Sequence, residues 1–192
     1  MSAITDTHPE QRVAIVTGGA RGIGAAITTA LARTGGHVAA GYSSNSKAAD
    51  ELKGKLEAEG ASISVHQGNV GSPEDCQRVV TEVLEQRGRV DYLINNAGSS
   101  GPHLLEEEEW APQAEFLELM MLSVTHMCHH FIPPMRKRGF GRIINVSSVA
   151  GRLPRPAGGH YGPSKAYLIA LTEELDLILA GTGVQVSALC PG

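Results

Sequence analysis

The fold is decided by residues Val13–Gly24, which read VAIVTGGARGIG. A short apolar run, Val13–Val16, leads into a glycine-rich turn, and a helical pattern follows it. Gly18 permits the tight turn, Gly22 lets the backbone approach a pyrophosphate, and Gly24 lets the helix pack on the strand. The first turn of such a helix offers free N–H groups and partial positive charge to phosphates. The stretch therefore predicts a strand, a phosphate-binding turn and a helix.

The rest of the chain alternates short β-branched runs with longer helical patterns. Near-continuous apolar runs are typical of parallel strands that are covered on both faces. We therefore predict an α/β fold, a Rossmann-type doubly wound parallel sheet with helices on both faces. The predicted strands are Arg12–Thr17, His37–Gly41, Ser62–Gln67, Val90–Asn95, Arg142–Ser147 and Val184–Leu189. The predicted helices are Gly22–Thr34, Ser46–Glu59, Pro73–Arg87, Gln113–Arg138 and Tyr161–Ala180.

The composition is that of one globular domain. The chain has 192 residues, of which 42% are hydrophobic and 19% are charged, and this argues against disorder. With a net charge of −4 it has no basic field for nucleic acid or an anionic membrane surface. Its apolar runs are too short to span a bilayer. We expect Met1–Glu10 to be a loose leader without a secretory signal and residues 11–192 to form the domain.

The three cysteines, Cys76, Cys128 and Cys190, stand alone and form no CxxC pair. An odd number of isolated cysteines fits a reducing compartment rather than a disulfide framework. We therefore expect inert thiols and a cytoplasmic location.

Two polar clusters have simple interpretations. Glu106–Glu109 is a run of four acids, which favours a solvated helix start because acids suit the positive end of a helix. His126, His129 and His130 are spaced to share a helix face. No carboxylate or cysteine nearby in sequence completes a zinc set, so we expect packing or a subunit contact there and no metal.

The other motifs follow the glycine turn in order along the chain. Thr17 precedes a turn spaced G-x-x-x-G-x-G, Asn95–Gly98 read NNAG after the fourth predicted strand, and Ser147–Ser148 close the fifth. Tyr161–Lys165 read YGPSK, which fits YxxxK, and Pro191–Gly192 follow the sixth strand. Together these motifs resemble those of the short-chain dehydrogenase/reductase family, and most of all its 3-oxoacyl-[acyl-carrier-protein] reductase branch.

The resemblance implies a domain that is truncated after the sixth strand. The family continues past this point with a Thr that touches the cofactor carboxamide, a mobile substrate lid, another helix and a seventh strand. We therefore expect the C-terminal part to be absent and the sixth strand to be an unpaired edge. The substrate is not readable, because specificity would reside largely in that lid and in Ser99–His103 and Gly151–His160.

The cofactor preference is predicted from the second strand. NAD-preferring domains end this strand with a carboxylate for the ribose 2′-OH, whereas here it runs into Ser43–Ser44 without an acid. Arg21 lies in the glycine turn, and a guanidinium matches a phosphate in charge and geometry, so we predict NADP(H). Asn69–Val70 match the family's Asp-Val adenine contact, and the Asn carbonyl would meet the adenine amino group. The predicted cofactor residues are Gly18, Arg21, Gly22, Ile23, Gly24, Ser43, Asn69, Val70, Asn96, Ala97, Gly98, Tyr161, Lys165, Pro191 and Gly192.

The predicted catalytic residues are Ser148, Tyr161 and Lys165. Tyr161 and Lys165 are four residues apart, so they share a helix face, and an ammonium beside a phenol favours the phenolate. Ser148 lies thirteen residues before Tyr161, the family's usual separation, and would hydrogen-bond the substrate oxygen. Ser147 is its rival for this role. The resemblance implies that Lys165 also holds the nicotinamide ribose.

One family residue has no counterpart. The family places an Asn in the helix before the fifth strand, where it extends a proton relay from the Lys. Counting back from Gly141 leads to Met120, while the local text suggests Ser123. A methionine cannot relay a proton, whereas a serine can. The sequence therefore leaves the presence of the relay undecided, while the Ser–Tyr–Lys set is complete.

These residues predict an NADP(H)-dependent oxidoreductase that moves a hydride between nicotinamide and a ketone or secondary alcohol, with a 3-oxoacyl thioester as the favoured substrate. A non-catalytic nucleotide-binding scaffold of the same fold is the alternative that the missing Asn and lid favour. A sugar or steroid alcohol dehydrogenase differs only in substrate. The expected partner is a small carbonyl or acyl-thioester compound, with neither nucleic acid nor membrane.

The two longest helices predict a homodimer or homotetramer. They carry more apolar residues than one sheet face needs, and exposing the excess would leave a patch that is uncommon on monomers. Family members pair these helices across a two-fold axis. The simpler alternative is that every one of these residues belongs to the core. The residues are Phe116, Leu119, Met120, Leu122, Met127, Phe131, Tyr167, Leu168, Leu171, Leu175 and Leu179.

Overall fold

Six parallel strands form one sheet in the computed structural model, which describes residues 12–153 and 159–192. The strands are β1 (Val13–Val16), β2 (His37–Tyr42), β3 (Ser62–Gln67), β4 (Tyr92–Asn95), β5 (Gly141–Val146) and β6 (Val184–Leu189). The helices are α1 (Gly22–Ala32), α2 (Ser46–Ala58), α3 (Pro73–Arg87), α4 (Trp110–Leu117), α5 (Ser123–Arg138) and α6 (Tyr161–Ile178). The predicted doubly wound Rossmann-type α/β fold is confirmed.

The strand order is β3-β2-β1-β4-β5-β6. The chain therefore moves outward in one direction from β1 to β3 and then crosses back to build β4 to β6 on the other side. In open α/β sheets a ligand binds outside the carboxyl ends of the strands at this switch point. The fold thus places a crevice between the ends of β1 and β4, where the glycine turn and the NNAG motif lie.

Side chains from both faces of β1 are buried, as expected for a central strand. Val13 and Ile15 pack in the layer formed by α3, α5 and α6, while Ala14 and Val16 pack in the layer formed by α1 and α2. Both layers are apolar because each helix covers one face of the sheet. The core therefore holds β1, and the turn that follows it, in a rigid position.

A buried carboxylate fixes the starts of β1 and β4 relative to each other. Asp91 is fully buried and accepts hydrogen bonds from Arg12 at 3.1 Å, from Arg89, and from the backbone N–H of Val13 at 3.1 Å. A buried charge is tolerated only when it is paired in this way. Asp91 therefore anchors the end of the sheet opposite the crevice.

The predicted strands agree with the observed ones to within two residues, but one predicted helix is wrong in detail. The predicted helix Gln113–Arg138 begins at Trp110 and is interrupted by a π-helical turn over Glu118–Leu122 before it continues as α5. Such turns are frequent at functional sites. Glu106–Glu109 lie exposed before this helix rather than in its first turn. The predicted leader, Met1–Glu10, lies outside the described residues.

Most of the apolar residues offered as a dimer surface belong to the core. Phe116, Met120, Met127, Phe131, Leu168 and Leu179 are buried, and of the eleven only Leu122 is exposed. The excess of apolar residues therefore supports the core interpretation more than it supports an interface. A two-fold dimer stays a prediction.

The isolated cysteines and the histidine cluster occupy separate places. Cys76 and Cys128 are buried free thiols, and burial raises the pKa of Cys128 to about 11, which keeps it in the unreactive thiol form. The three histidines of α5 are exposed. Within residues 12–153 and 159–192, no group of three His, Cys, Asp or Glu side chains is placed to hold a metal ion. No helix in these ranges has the length and apolar character that a bilayer crossing needs.

Candidate active site

The glycine turn is held to the end of β4 by side chains of its own motif. The Thr17 hydroxyl accepts from the backbone N–H of Asn96 at 2.9 Å and of Ala97 at 3.1 Å. The Asn96 amide donates in return to the carbonyls of Thr17 at 2.9 Å and Gly18 at 3.1 Å. The Thr before the turn and the second Asn of NNAG thus form one clamp across the switch point.

The three motif glycines of the turn, Gly18, Gly22 and Gly24, are required by backbone conformation or by close packing. Gly18 and Gly22 have φ values of +61° and +55°, which favour glycine. A Cβ on Gly24 would lie 2.1 Å from the Gly18 carbonyl oxygen, so the helix packs on the turn only without a side chain there. A Cβ on Gly22 would meet nothing within 4 Å. Its backbone is therefore open to a ligand at the start of α1.

A cavity of about 550 Å³ lies along the carboxyl ends of β1, β2, β3 and β4. Its walls include the open glycine turn, the polar residues after β2 and the NNAG segment. The predicted cofactor residues on its walls are Gly18, Arg21, Gly22, Ile23, Gly24, Ser43, Asn69, Val70, Asn96, Ala97 and Gly98. Tyr161, Lys165, Pro191 and Gly192 do not line it.

Some lining residues were not found from the sequence. Asp75 and Cys76 come from the start of α3, and Leu119 and Met127 come from the π-helical turn and α5. None of these four residues belongs to a motif, and in the sequence they look like ordinary residues of periodic helices. Only the packing of these helices on the sheet brings them to the cavity.

Among the described residues, one carboxylate lines this cavity, and it is already paired. Asp75 accepts from Arg78 at 2.9 Å and from the backbone N–H of Asn69 at 2.8 Å. The N–H of Asn69 and the guanidinium lower the pKa of Asp75. Asp75 therefore orients the segment after β3 and adds little net negative charge to the cavity.

The side chain of Asn69 is oriented by the backbone of Gly71. Its side-chain oxygen accepts from the N–H of Gly71 at 3.0 Å. The carbonyl that was predicted to meet an adenine amino group is thus already engaged, with one lone pair left. Arg21 is exposed and lines the same cavity, as Ser43 does.

The two serines after β5 are distinguished by their hydrogen bonds. Ser147 is 3% exposed, and its hydroxyl donates to the carbonyl of Lys165 at 2.7 Å. Ser148 is half-buried, and its oxygen accepts from the N–H of Ala150 at 3.1 Å, while its hydroxyl proton has no acceptor among residues 12–153 and 159–192. Ser147 therefore ties β5 to α6, and Ser148 is the one that can face a substrate.

Lys165 is a buried ammonium beside Tyr161. It is 5% exposed, its Nζ donates to the carbonyl of Val146 at 2.8 Å, and Nζ lies 5.6 Å from the centre of the Tyr161 ring. Burial lowers the pKa of Lys165 to about 8. Strongly shifted pKa values are frequent at functional sites. Lys165 lies at the end of β5, because Val146 is the last residue of that strand. The segments that follow β5 and β6 are joined there, since Val149 N–H donates to the carbonyl of Pro191 at 3.0 Å.

A buried amide network holds α6, and with it the Tyr–Lys pair, against the sheet. Asn95 donates to Asn145 at 2.8 Å, and Asn145 donates to Thr172 at 2.9 Å. This chain links β4, β5 and α6, and buried networks of this kind rigidify a core when every member is satisfied. The first Asn of NNAG thus has a structural role that its motif did not reveal.

Met120, and not Ser123, lies beside the candidate catalytic lysine. A Cβ built on Gly98 would lie 3.1 Å from the Met120 sulfur and 3.9 Å from the Lys165 Nζ. Ser123 instead donates to the carbonyl of Leu119 at 2.6 Å within its own helix. The π-helical turn therefore directs a thioether to the place where the sequence left the choice open.

Comparison with known proteins agrees with this geometry. The family model described as short chain dehydrogenase matches residues 12–192. An acetoacetyl-CoA reductase of Rhizobium meliloti (strain 1021) is 39% identical over 184 residues, which cover 94% of this chain and 73% of that protein. A 3-oxoacyl-[acyl-carrier-protein] reductase of Synechocystis sp. (strain ATCC 27184 / PCC 6803 / Kazusa) is 35% identical, with the same shares covered.

Solved structures give the same result. A metagenomic short-chain oxidoreductase in complex with NADP superposes with a TM-score of 0.88 at 30% identity, covering 95% of this chain and 82% of that one. A short-chain dehydrogenase from Streptomyces avermitilis gives a TM-score of 0.83 at 31% identity, covering 94% and 65%. The family match, the fold and the motifs coincide, and the chain belongs to the short-chain dehydrogenase/reductase family of nicotinamide-dependent oxidoreductases.

Proposed function

We propose that this chain catalyses NADP(H)-dependent hydride transfer between nicotinamide and a ketone or secondary alcohol, with a 3-oxoacyl thioester as the favoured substrate. The observation that carries the proposal is the buried Lys165 beside Tyr161, with the free hydroxyl proton of Ser148 at the end of the neighbouring strand. Relatives named as acetoacetyl-CoA and 3-oxoacyl-[acyl-carrier-protein] reductases support the substrate class.

The cavity residues fit a dinucleotide. The open backbone at Gly22 and the free N–H groups at the start of α1 would hold its pyrophosphate, since a helix start is an anion site. The switch-point position of the cavity fits a ligand that extends across several strand ends. When bound, the nicotinamide supplies the hydride, and the protein supplies binding, orientation and a proton.

NADP(H) is favoured over NAD(H) by the charges around the end of β2. Asp75 is the one carboxylate on the cavity walls, and it is paired with Arg78. No acid therefore stands ready to bind a 2′-hydroxyl or to repel a 2′-phosphate. Arg21 at the rim can pair with such a phosphate. The NADP complex of a similar structure supports the same choice.

The proposed chemistry uses three side chains. Ser148 donates its hydroxyl proton to the substrate oxygen and so holds the carbonyl in place. Tyr161 gives its phenolic proton to that oxygen during reduction and takes it back during oxidation. The ammonium of Lys165 lies 5.6 Å from the centre of the Tyr161 ring, and only one of its N–H donors is used by Val146. The others remain for the nicotinamide ribose.

The test of catalysis is Tyr161→Phe, with Tyr167→Phe as its control. Tyr167 lies on the same helix, and its hydroxyl contacts Thr125 at 2.8 Å, away from the cavity walls. Loss of the proton donor should lower reduction of acetoacetyl-CoA by about 10²- to 10⁴-fold, while NADPH binding is nearly unchanged. Lys165→Ala should damage both. The assay follows NADPH absorbance over a panel of carbonyl compounds.

The panel also separates the alternatives. A non-catalytic scaffold would bind NADPH but turn over no substrate, and wild type and Tyr161→Phe would be equally inactive. A sugar or steroid alcohol dehydrogenase would act on those compounds and leave acyl thioesters unreacted. Substantial turnover by Tyr161→Phe would contradict the mechanism.

The test of cofactor choice is Arg21→Ala, with Arg33→Ala as its control. Arg33 is an exposed arginine paired with Glu59 and lies outside the cavity. Arg21→Ala should weaken NADPH binding by about tenfold to a hundredfold and leave NADH nearly unchanged, because only the 2′-phosphate needs the cation. Tyr42→Asp should shift preference towards NADH by repulsion. Equal losses for both nucleotides in Arg21→Ala would refute the assignment.

A further inference from the structure

The surroundings of Lys165 are unusually apolar for a charged group. Nζ has one hydrogen-bond acceptor in the described part of the chain, the carbonyl of Val146 at 2.8 Å. Among the described residues, no ion pair joins Lys165 to a carboxylate. A buried ammonium with a single neutral acceptor is costly unless it gains water or loses its proton. The access of water to Nζ therefore controls the charge of Lys165.

Met120 shares the space next to Gly98 with the Lys165 ammonium. Its sulfur and the Lys165 Nζ lie 3.1 Å and 3.9 Å from one point, the position of a Cβ on Gly98, so the two atoms are at most about 7 Å apart. Met120 is 1% exposed. Its thioether is a weak acceptor at best, so it fills this space without solvating the ammonium. Gly98 makes the room, because a Cβ there would lie 3.1 Å from the sulfur and 3.3 Å from the methyl carbon of Met120.

The π-helical turn explains why Met120 reaches this place. An extra residue in the turn over Glu118–Leu122 rotates the side chains that follow it relative to a regular helix. Leu122 then faces solvent, while Met120 points inward. The insertion of Met120 next to Lys165 is thus a property of this local backbone.

Other titratable groups face Lys165 from two sides. On its own helix the Tyr161 ring lies 5.6 Å from Nζ. After β6, the half-buried Cys190 acts to raise the pKa of Lys165. Neither group offsets the burial of the ammonium, since burial is the largest influence on the pKa of Lys165.

We propose that Met120 is a positioning residue that keeps water from the Lys165 ammonium and thereby sets the upper pH limit of the reaction. The proposal deepens the proposed function and rests on it for its catalytic part. The reaction needs the cation, both for Tyr161 and for the ribose, so the enzyme loses activity at the pH where Lys165 loses its proton. A polar side chain at position 120 would solvate the ammonium and move that limit upward.

The experiment compares Met120→Gln with Met120→Leu. Glutamine matches the length of methionine and adds a carbonyl acceptor, whereas leucine keeps the site apolar. Nitrogen NMR of lysine side chains follows the titration of Lys165 in the nucleotide-free protein, and Lys165→Met assigns its signal. The titration midpoint should rise by about one pH unit in Met120→Gln, the worth of one hydrogen bond to a charge, and stay in place in Met120→Leu. Met120→Asn serves as a second polar variant if the glutamine variant folds poorly.

The pH dependence of kcat/KM for acetoacetyl-CoA is the second readout. Its high-pH limb should move upward with the NMR midpoint in Met120→Gln and not in Met120→Leu. Equal midpoints in the polar and apolar variants would overturn the role of Met120. If Lys165 titrates as proposed but every variant lacks turnover, the catalytic function fails and the control of the Lys165 charge stands.

Discussion

Lys165→Met should make the nucleotide-free protein more stable at neutral pH. The side chain is 5% exposed, and burial lowers the pKa of Lys165 from 10.5 to about 8. Between these values the unfolded chain binds more protons than the folded one. The free energy of unfolding of the wild type therefore rises as pH rises through this window, and the full cost of the buried charge is present below about pH 8.

The magnitude follows from the same numbers. One pKa unit corresponds to about 1.4 kcal/mol, so the buried ammonium costs about 3 kcal/mol at pH 7. Methionine removes this cost but also removes the Nζ donor from the Val146 carbonyl, a loss of about 1 kcal/mol. The variant should thus be more stable by about 2 kcal/mol at pH 7, and this advantage should vanish near pH 9.5.

Urea unfolding at a series of pH values between 7 and 9.5 measures this difference. Nucleotide must be absent, because a bound ligand stabilises the folded state by mass action. Lys47→Met is the control, since Lys47 is 86% exposed and its removal should shift the free energy of unfolding little and without this pH dependence. A difference between wild type and Lys165→Met that stays constant over the whole range would refute the reasoning.

Three further outcomes are expected. Gly24→Ala should weaken NADPH binding more than tenfold, because its Cβ would lie 2.1 Å from the Gly18 carbonyl oxygen. The control, Gly54→Ala, lies in open space on α2 and should leave binding unchanged. Calorimetric titration with NADPH measures both affinities. Asp91→Ala should lower the free energy of unfolding by about 3 kcal/mol, because two arginines lose a buried partner, and unchanged urea unfolding would contradict this. We expect a two-fold dimer built on α5 and α6, and light scattering at micromolar concentration should show the mass of a dimer. A stable monomer would contradict that assembly.

Several features of this protein were determined by the sequence alone. Strand periods and turn residues are local, so the six strands and the helix starts could be predicted to within a few residues. The start of α3 illustrates this. The Ser72 side chain accepts from the N–H of Asp75 at 3.2 Å, and Pro73 stands in the first turn of the helix. The glycine turn and YxxxK were readable for the same reason, since each performs its role within a few consecutive residues.

Where the sequence offered two candidates, the tertiary structure gives them different surroundings. The sequence alone does not distinguish Ser147 from Ser148. In the folded protein, the packing of α6 on β5 lets the Ser147 hydroxyl donate to the Lys165 carbonyl. Met120 and Ser123 differ by less than one helical turn, and the π-helical turn directs Met120 to the lysine. A single extra residue in a helix changes which face is buried, and no periodicity reveals where it is inserted.

The electrostatics of the site also required the three-dimensional arrangement. Asp75 is an ordinary first-turn acid in the sequence, yet it holds the backbone of Asn69 beside the cavity. Lys165 reads as a lysine at the right spacing, and its depth of burial depends on β5, α6 and the segment after β4 at once. Short motifs specify which groups are present because their chemistry is local. The charge and hydration of those groups depend on contacts between segments far apart in the chain, and only the folded structure brings those segments together.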